Sequence, residues 1–187
     1  MLRDPLIIGL TGRAGVGKDT VAALLCEQHD FEPYAFADPL RSMLEQLFND
    51  AGLDYACLSE RHLKELPIPE LGISARQLMQ TLGTGWGRAL REDFWLRIAD
   101  LALGLPASPV HDRIVVTDVR FPNEAGWIAE HRGVLVRVER QVQPIAAHES
   151  EQHVDSLPCW HIIDNSGTRA HLHDQVEALL YRVEALA

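Results

Sequence analysis

The sequence predicts an α/β domain, a central parallel sheet covered by helices on both faces. Three observations predict it. Short apolar runs alternate along the chain with stretches of helical periodicity. The first run, Leu6–Leu10, leads into a glycine-rich loop, Gly12-Arg13-Ala14-Gly15-Val16-Gly17-Lys18. A later run, Arg113–Thr117, ends in an acid, Asp118. Parallel strands buried on both faces read as continuous apolar runs. Their ligands gather at the strands' carboxyl ends, where the glycine loop and Asp118 both fall.

Leu6–Leu10 reads as the first strand. Val21, Leu24, Leu25 and Gln28 recur at helical spacing, so a helix opens at about Lys18. Phe31–Ala37 reads as a second short strand. Asp38 is expected as the N-cap of a helix that Pro39 opens and that runs through Met43, Leu44 and Leu47 to about Ala51. Residues 52–73 hold Pro67 and Pro69, two glycines and little periodicity, and read as a surface excursion. Ser74-Ala75-Arg76-Gln77 is a capping-box pattern opening another helix, which Gly83, Gly85 and Gly87 are expected to break. A further helix covers about Asp93–Leu103, and Arg113–Asp118 is the next strand. Pro122 starts a helix that stops at Gly133, and Val134–Val138 is a strand. Gln141–Leu157 is polar and irregular, and Trp160–Ile163 is a last strand. Leu172, Val176, Leu179, Leu180 and Val183 mark one face of a final helix.

At 187 residues the chain suits one domain with a sizeable core. Its net charge of −10 disfavours a duplex-coating nucleic-acid binder. No apolar run approaches the roughly 20 residues of a membrane span, and the N-terminal residues lack the pattern of a signal peptide. Cys26, Cys57 and Cys159 are odd in number and far apart, which points to a reducing cytoplasm. The histidines show no zinc-ligand spacing.

The loop matches a phosphate-binding P-loop, with one shift: Asp19 follows Lys18, and the hydroxyl of Thr20 comes a position late. The cradle survives that shift because it is backbone. Gly12, Gly15 and Gly17 clear space for N–H groups, Lys18 reaches the β- and γ-phosphates, and Asp19 lies in the first turn of the helix whose dipole helps. The G-K-x-T spacing resembles that of nucleoside monophosphate kinases. It implies a three-layer P-loop NTPase fold, nucleoside monophosphate kinase-like, and a Mg²⁺ held largely by substrate phosphates and water. At the end of the later strand, Asp118 and Arg120 point the same way by alternation; such a pair is either a structural ion pair or a ligand clamp, and its place at the strand end favours the clamp. Asp118 also sits where an acid would help organise Mg²⁺. Arg137 and Arg140 end the next strand, ahead of a polar stretch with His148-Glu149-Ser150-Glu151, and read as arginines of a lid over the transferring phosphoryl group. The Asp164–Thr168 loop, with Asn165 and Gly167, reads as an adenine-side loop.

Four elements in order resemble the phage-type deoxynucleoside monophosphate kinases. They are G-K-D-T at the loop, R-x-L-M-Q-x-L-G-T at 76–84, D-x-R at 118–120, and H-x-[ST]-E with I-x-N-x-G-[ST] at 148–151 and 163–168. The resemblance implies transfer of the ATP γ-phosphoryl to a deoxynucleoside monophosphate, giving the diphosphate and ADP. It implies a single kinase domain over 1–187, with a monophosphate-binding helical region at about 38–104 and a lid at about 140–157. ATP and Mg²⁺ are the implied cofactors, with Thr20 and Asp118 on the metal, partly through water. Lys18, Arg120, Arg140 and Asp118 are the implied catalytic set. Gly12, Gly15, Gly17, Lys18, Asp19, Thr20, Arg137, Asn165 and Gly167 face ATP. Asp38, Arg76, Gln80, Trp95, Asp118, Arg120 and Glu124 shape the monophosphate site. The small-molecule substrate is the partner; no nucleic-acid polymer or membrane is implied, and a homodimer stays open. The chain departs from the phage enzymes in its short 52–73 region and at Arg13 and Ala14 in the loop. Two other readings are a dephospho-CoA kinase-like enzyme using Asp38 as base, and a non-catalytic nucleotide-binding module.

Overall fold

Five short strands build the sheet. They are β1 (Leu6–Thr11), β2 (Glu32–Tyr34), β3 (Arg113–Val116), β4 (Val134–Glu139) and β5 (His161–Asp164). They pair in the order β2-β3-β1-β4-β5, every pair parallel. The computed structural model describes residues 4–60, 62–105, 107–140 and 154–185. Parallel neighbours need crossovers, and helices supply them.

Ile7, Ile8 and Leu10 of β1 are fully buried. On one face of the sheet, Ile8, Leu10 and Val136 pack with residues of α1 (Lys18–His29) and α7 (Arg169–Glu184). Leu172, Val176, Leu179, Leu180 and Val183 are the buried stripe of α7, as their spacing predicts. Each such side chain stabilises the fold by about 1.5–3 kcal/mol on burial. On the other face lies α6 (Pro122–Glu130), whose Ile128 is so close to Gly9 that a Cβ there would be 2.9 Å away. The result is a three-layer α/β P-loop fold with a central parallel sheet.

The chain divides into two compact units, one of residues 1–35 and 100–187 and one of residues 36–99. The first holds the sheet. The second holds α2 (Asp38–Ala51), α3 (Ala56–Ser59) and α4 (Ala75–Gln80), and α5 (Phe94–Leu103) begins in it. It has its own core of Leu44, Phe48, Leu58, Ile68 and Ala75. The helical region expected at about 38–104 falls largely in this unit.

Several local expectations change. Asp38 is not the N-cap of α2 but its first residue, and Ala37 caps it without a side chain. Asp38 Oδ1 instead accepts from Arg41 Nη1 at 2.5 Å, one turn on. The 52–73 stretch is more than a surface excursion, because Leu58 and Ile68 enter the core at 1% and 7% exposure. Two buried residues ten apart leave no periodicity to read. The capping box at Ser74 forms: its Oγ accepts from Gln77 N–H at 3.2 Å, and Gln77 Oε1 accepts from Ser74 N–H at 2.9 Å. The glycines after it do not break the helix. The chain continues from α4 as a π-helix, Thr81–Arg88. Strand β3 stops at Val116, before Asp118, yet the backbone keeps bonding to the same two neighbours, β2 and β1. Thr117 N–H donates to Tyr34 O on β2 at 2.9 Å, and Val119 N–H donates to Leu10 O on β1 at 3.1 Å.

Candidate active site

The glycine loop joins the C-terminal end of central β1 to α1. Gly12, Gly15 and Gly17 take φ of 141°, 83° and 98°, a region that L side chains avoid. Gly17 is the N-cap of α1 and has no side chain to cover the helix's first N–H groups. Those groups and the helix dipole face the loop's mouth, which suits an anion. Lys18 folds back over the loop, its Nζ donating to Gly12 O at 2.7 Å and to Arg13 O at 3.1 Å. Asp19 and Thr20 are exposed on the first turn.

Two side chains from distant segments brace the loop. Asn165, just past β5, donates from Nδ2 to Val16 O at 2.8 Å. The contact is so close that a Cβ on Gly17 would lie 2.1 Å from that nitrogen. The carboxamide nitrogen expected beside adenine is therefore committed to the loop. Gly167, expected with it, lies beside His171, whose Cδ2 would be 3.0 Å from an added Cβ. Arg13 forms a two-pronged ion pair with Asp155, with Nε donating at 3.3 Å and 3.0 Å to its two oxygens and Nη2 donating to Oδ2. Arg13's hydrogen bond holds the Asp155 carboxyl below its usual range, its charge and that of Arg137 adding to the effect. Neither brace announces itself in the sequence, since both join residues more than a hundred positions apart.

Asp118 and Arg120 are half-buried on either side of Val119, which is fully buried, so alternation persists past the end of β3. Glu124 is 4% exposed, and its Oε2 accepts from the N–H groups of Arg120 and Phe121 at 2.7 and 3.0 Å. Phe121 offers no acceptor in return, so the cap on α6 is one-sided. Glu124 thus fixes the backbone that carries Arg120. Arg137 lies near the end of β4, and its Nη2 donates to Leu157 O at 2.6 Å. Arg140 is exposed just after β4. His148–Glu151 and most of the expected lid lie outside the described residues. Its last part, Val154–Ser156, is a 3₁₀ turn flanked by Leu157, and Val154 and Leu157 are buried.

In the helical unit, Arg76 Nε pairs with Glu65 Oε1, and Gln80 is half-buried. Trp95 is only 5% exposed. Its Nε1 donates to Gly83 O at 2.9 Å, and its ring meets Phe94 edge-on at 4.8 Å. A Cβ on Gly87 would lie 2.4 Å from that ring. Trp95 is thus a packing residue beneath the π-helix, and Gly87 makes room for it.

A parallel sheet with a glycine phosphate loop at the end of its central strand, and a lysine at the loop's mouth, defines a P-loop phosphotransferase. The chain belongs to the deoxynucleotide monophosphate kinase family, whose model matches residues 54–176. It is 29% identical to the deoxynucleoside-5'-monophosphate kinase of Escherichia phage T5, over 67% of this chain and 72% of the phage protein. It is also 29% identical to a protein of Acanthamoeba polyphaga mimivirus that is provisionally named as such a kinase, over 91% of this chain and 94% of that one. The crystal structure of TT1252 from Thermus thermophilus shares the fold, with a TM-score of 0.50 at 18% identity, covering 96% of this chain and 98% of that one. No helix among the described residues is long and apolar enough to cross a membrane.

Proposed function

We propose that the chain transfers the γ-phosphoryl of ATP to the α-phosphate of a deoxynucleoside monophosphate, in line, releasing ADP and the diphosphate. The observation that carries this reading is the loop itself. Three positive-φ glycines open the N-terminus of α1, and Lys18 already lies across its mouth. Lys18 would exchange two carbonyl partners for phosphate oxygens, a stronger, charge-assisted contact.

The acceptor phosphate has a second pKa of about 6 and is largely a dianion near neutrality. It needs no general base, and Asp38, engaged by Arg41, is not required as one. The harder task is bringing two polyanions together, and cations do it. Lys18 serves the donor. Arg120, on a backbone fixed by Glu124, serves the acceptor, and Arg140 stands with it at the strand ends. Thr20 and Asp118 offer oxygen donors suited to Mg²⁺. Such an ion would be held mainly by substrate phosphates and water. Bound with ATP, Mg²⁺ would offset charge on the phosphate oxygens.

The test is ADP release from Mg·ATP with a panel of deoxynucleoside and ribonucleoside monophosphates and dephospho-CoA. Turnover with the deoxynucleotides is expected. Turnover with dephospho-CoA alone overturns the reading and returns Asp38 as a base.

A further inference from the structure

Arg13 is the second residue of the glycine loop, and its side chain is 57% exposed. It grips Asp155 with Nε and Nη2 together, the fork with which arginine also takes a phosphate. Asp155 does not reach the loop by chance of a loose strand. It sits on the 3₁₀ turn Val154–Ser156, which is anchored by buried Val154 and Leu157 and by the Arg137 bond to Leu157 O. The turn therefore keeps its place without the ion pair. The pair itself is exposed on both sides, the Asp155 side chain at 55%. Such pairs are weak and exchange easily. Lys18, the loop's other cation, is likewise engaged by protein oxygens, one of them the carbonyl of Arg13.

We infer that Arg13 is a further ligand of the donor's phosphates, and that Asp155 is the carboxylate standing in for phosphate on it while the site is empty. The inference rests on the reading of the loop as the ATP site. ATP recruits Arg13 by displacing Asp155, since a polyphosphate offers the same fork more negative charge than a single carboxylate. Asp155 thereby lowers ATP affinity, and does so only through Arg13.

The experiment is ATP affinity by calorimetry on the full chain, with melting temperature as a check on folding. Arg13→Ala is expected to weaken ATP about tenfold, the loss of one charge-assisted contact. Asp155→Asn is expected to tighten ATP about fivefold, which equals about 1 kcal/mol, the upper range for an exposed pair. Asp155→Ser should do the same, without an amide to replace the carboxylate. In the Arg13→Ala background, Asp155→Asn should change nothing. KM for the monophosphate should stay level throughout. Weaker or unchanged ATP binding in both Asp155 variants overturns the inference. So does tightening that survives without Arg13, because that is only the field of a lost negative charge. Lys18→Ala separates the two levels: if it leaves ATP binding intact, the loop reading itself fails, whatever Asp155 does.

Discussion

Both units of the molecule carry a glycine triplet, and the two triplets do opposite work. In the sheet unit, Gly12, Gly15 and Gly17 are needed for their backbone angles, all at positive φ. In the helical unit, none of Gly83, Gly85 and Gly87 has positive φ, and the chain passes through them as a continuous π-helix. There Gly87 is needed for space, because the Trp95 ring occupies the volume of its Cβ. A glycine cluster in a sequence thus signals either an unusual backbone or a close approach. Only the surrounding side chains distinguish the two.

The largest expected effect tests the first triplet's purpose. Lys18→Ala should lower kcat by about 10³-fold or more in the coupled ADP assay, with the melting temperature unchanged. Unaltered turnover would falsify the phosphate-loop assignment. Next comes the second triplet. Gly87→Ala should destabilise the protein by about 1–3 kcal/mol in a denaturant melt, through overpacking against Trp95. If the variant is as stable as the parent, the glycine is not there for space. Arg120→Ala should raise KM for the monophosphate about tenfold and leave that for ATP nearly unchanged. A change confined to ATP would move Arg120 to the donor. Ser74→Ala should cost about 1 kcal/mol of stability by opening the capping box, with KM values intact.

The smallest effect is read by pH. Hydrogen bonds from Arg91 and Arg97 lower the exposed Asp93 carboxyl to about 2. Its contribution is present above the ordinary carboxylate range near 4 and is lost as pH falls through about 2. Melting curves of Asp93→Asn and the parent should therefore differ slightly at neutral pH and converge in strong acid. Curves that diverge further in acid contradict the ion pairs.

The sequence made the sheet unit legible. Its central strands β1 and β3 carry aliphatic runs, and the stripe on α7 has a clear period. The loop's chemistry depends on adjacent residues, so spacing alone reveals it. The helical unit was harder. Leu58 and Ile68 anchor its core from a stretch without period, and the π-helix runs through residues that usually end helices. Trp95 stood out as an aromatic near the site, yet its ring is enclosed by its own unit. The braces on the loop were also invisible. Asn165 and Asp155 meet Val16 and Arg13 only after the sheet has formed, and no local pattern encodes a partner so far along the chain.

The sheet unit is discontinuous in the chain, and this bears on synthesis. Strand β1 leaves the ribosome first, yet its neighbours are β3 and β4: Leu6 pairs with Arg113, and Ile8 with Val134. Its apolar edges wait, unpaired, until both have emerged. Closing such long loops is the slow part of folding. Residues 36–99 emerge in between and form a compact unit of their own. Until then the strand, Leu-Ile-Ile-Gly-Leu-Thr, is an unpaired apolar edge, the kind of surface that makes a partly folded chain prone to aggregate.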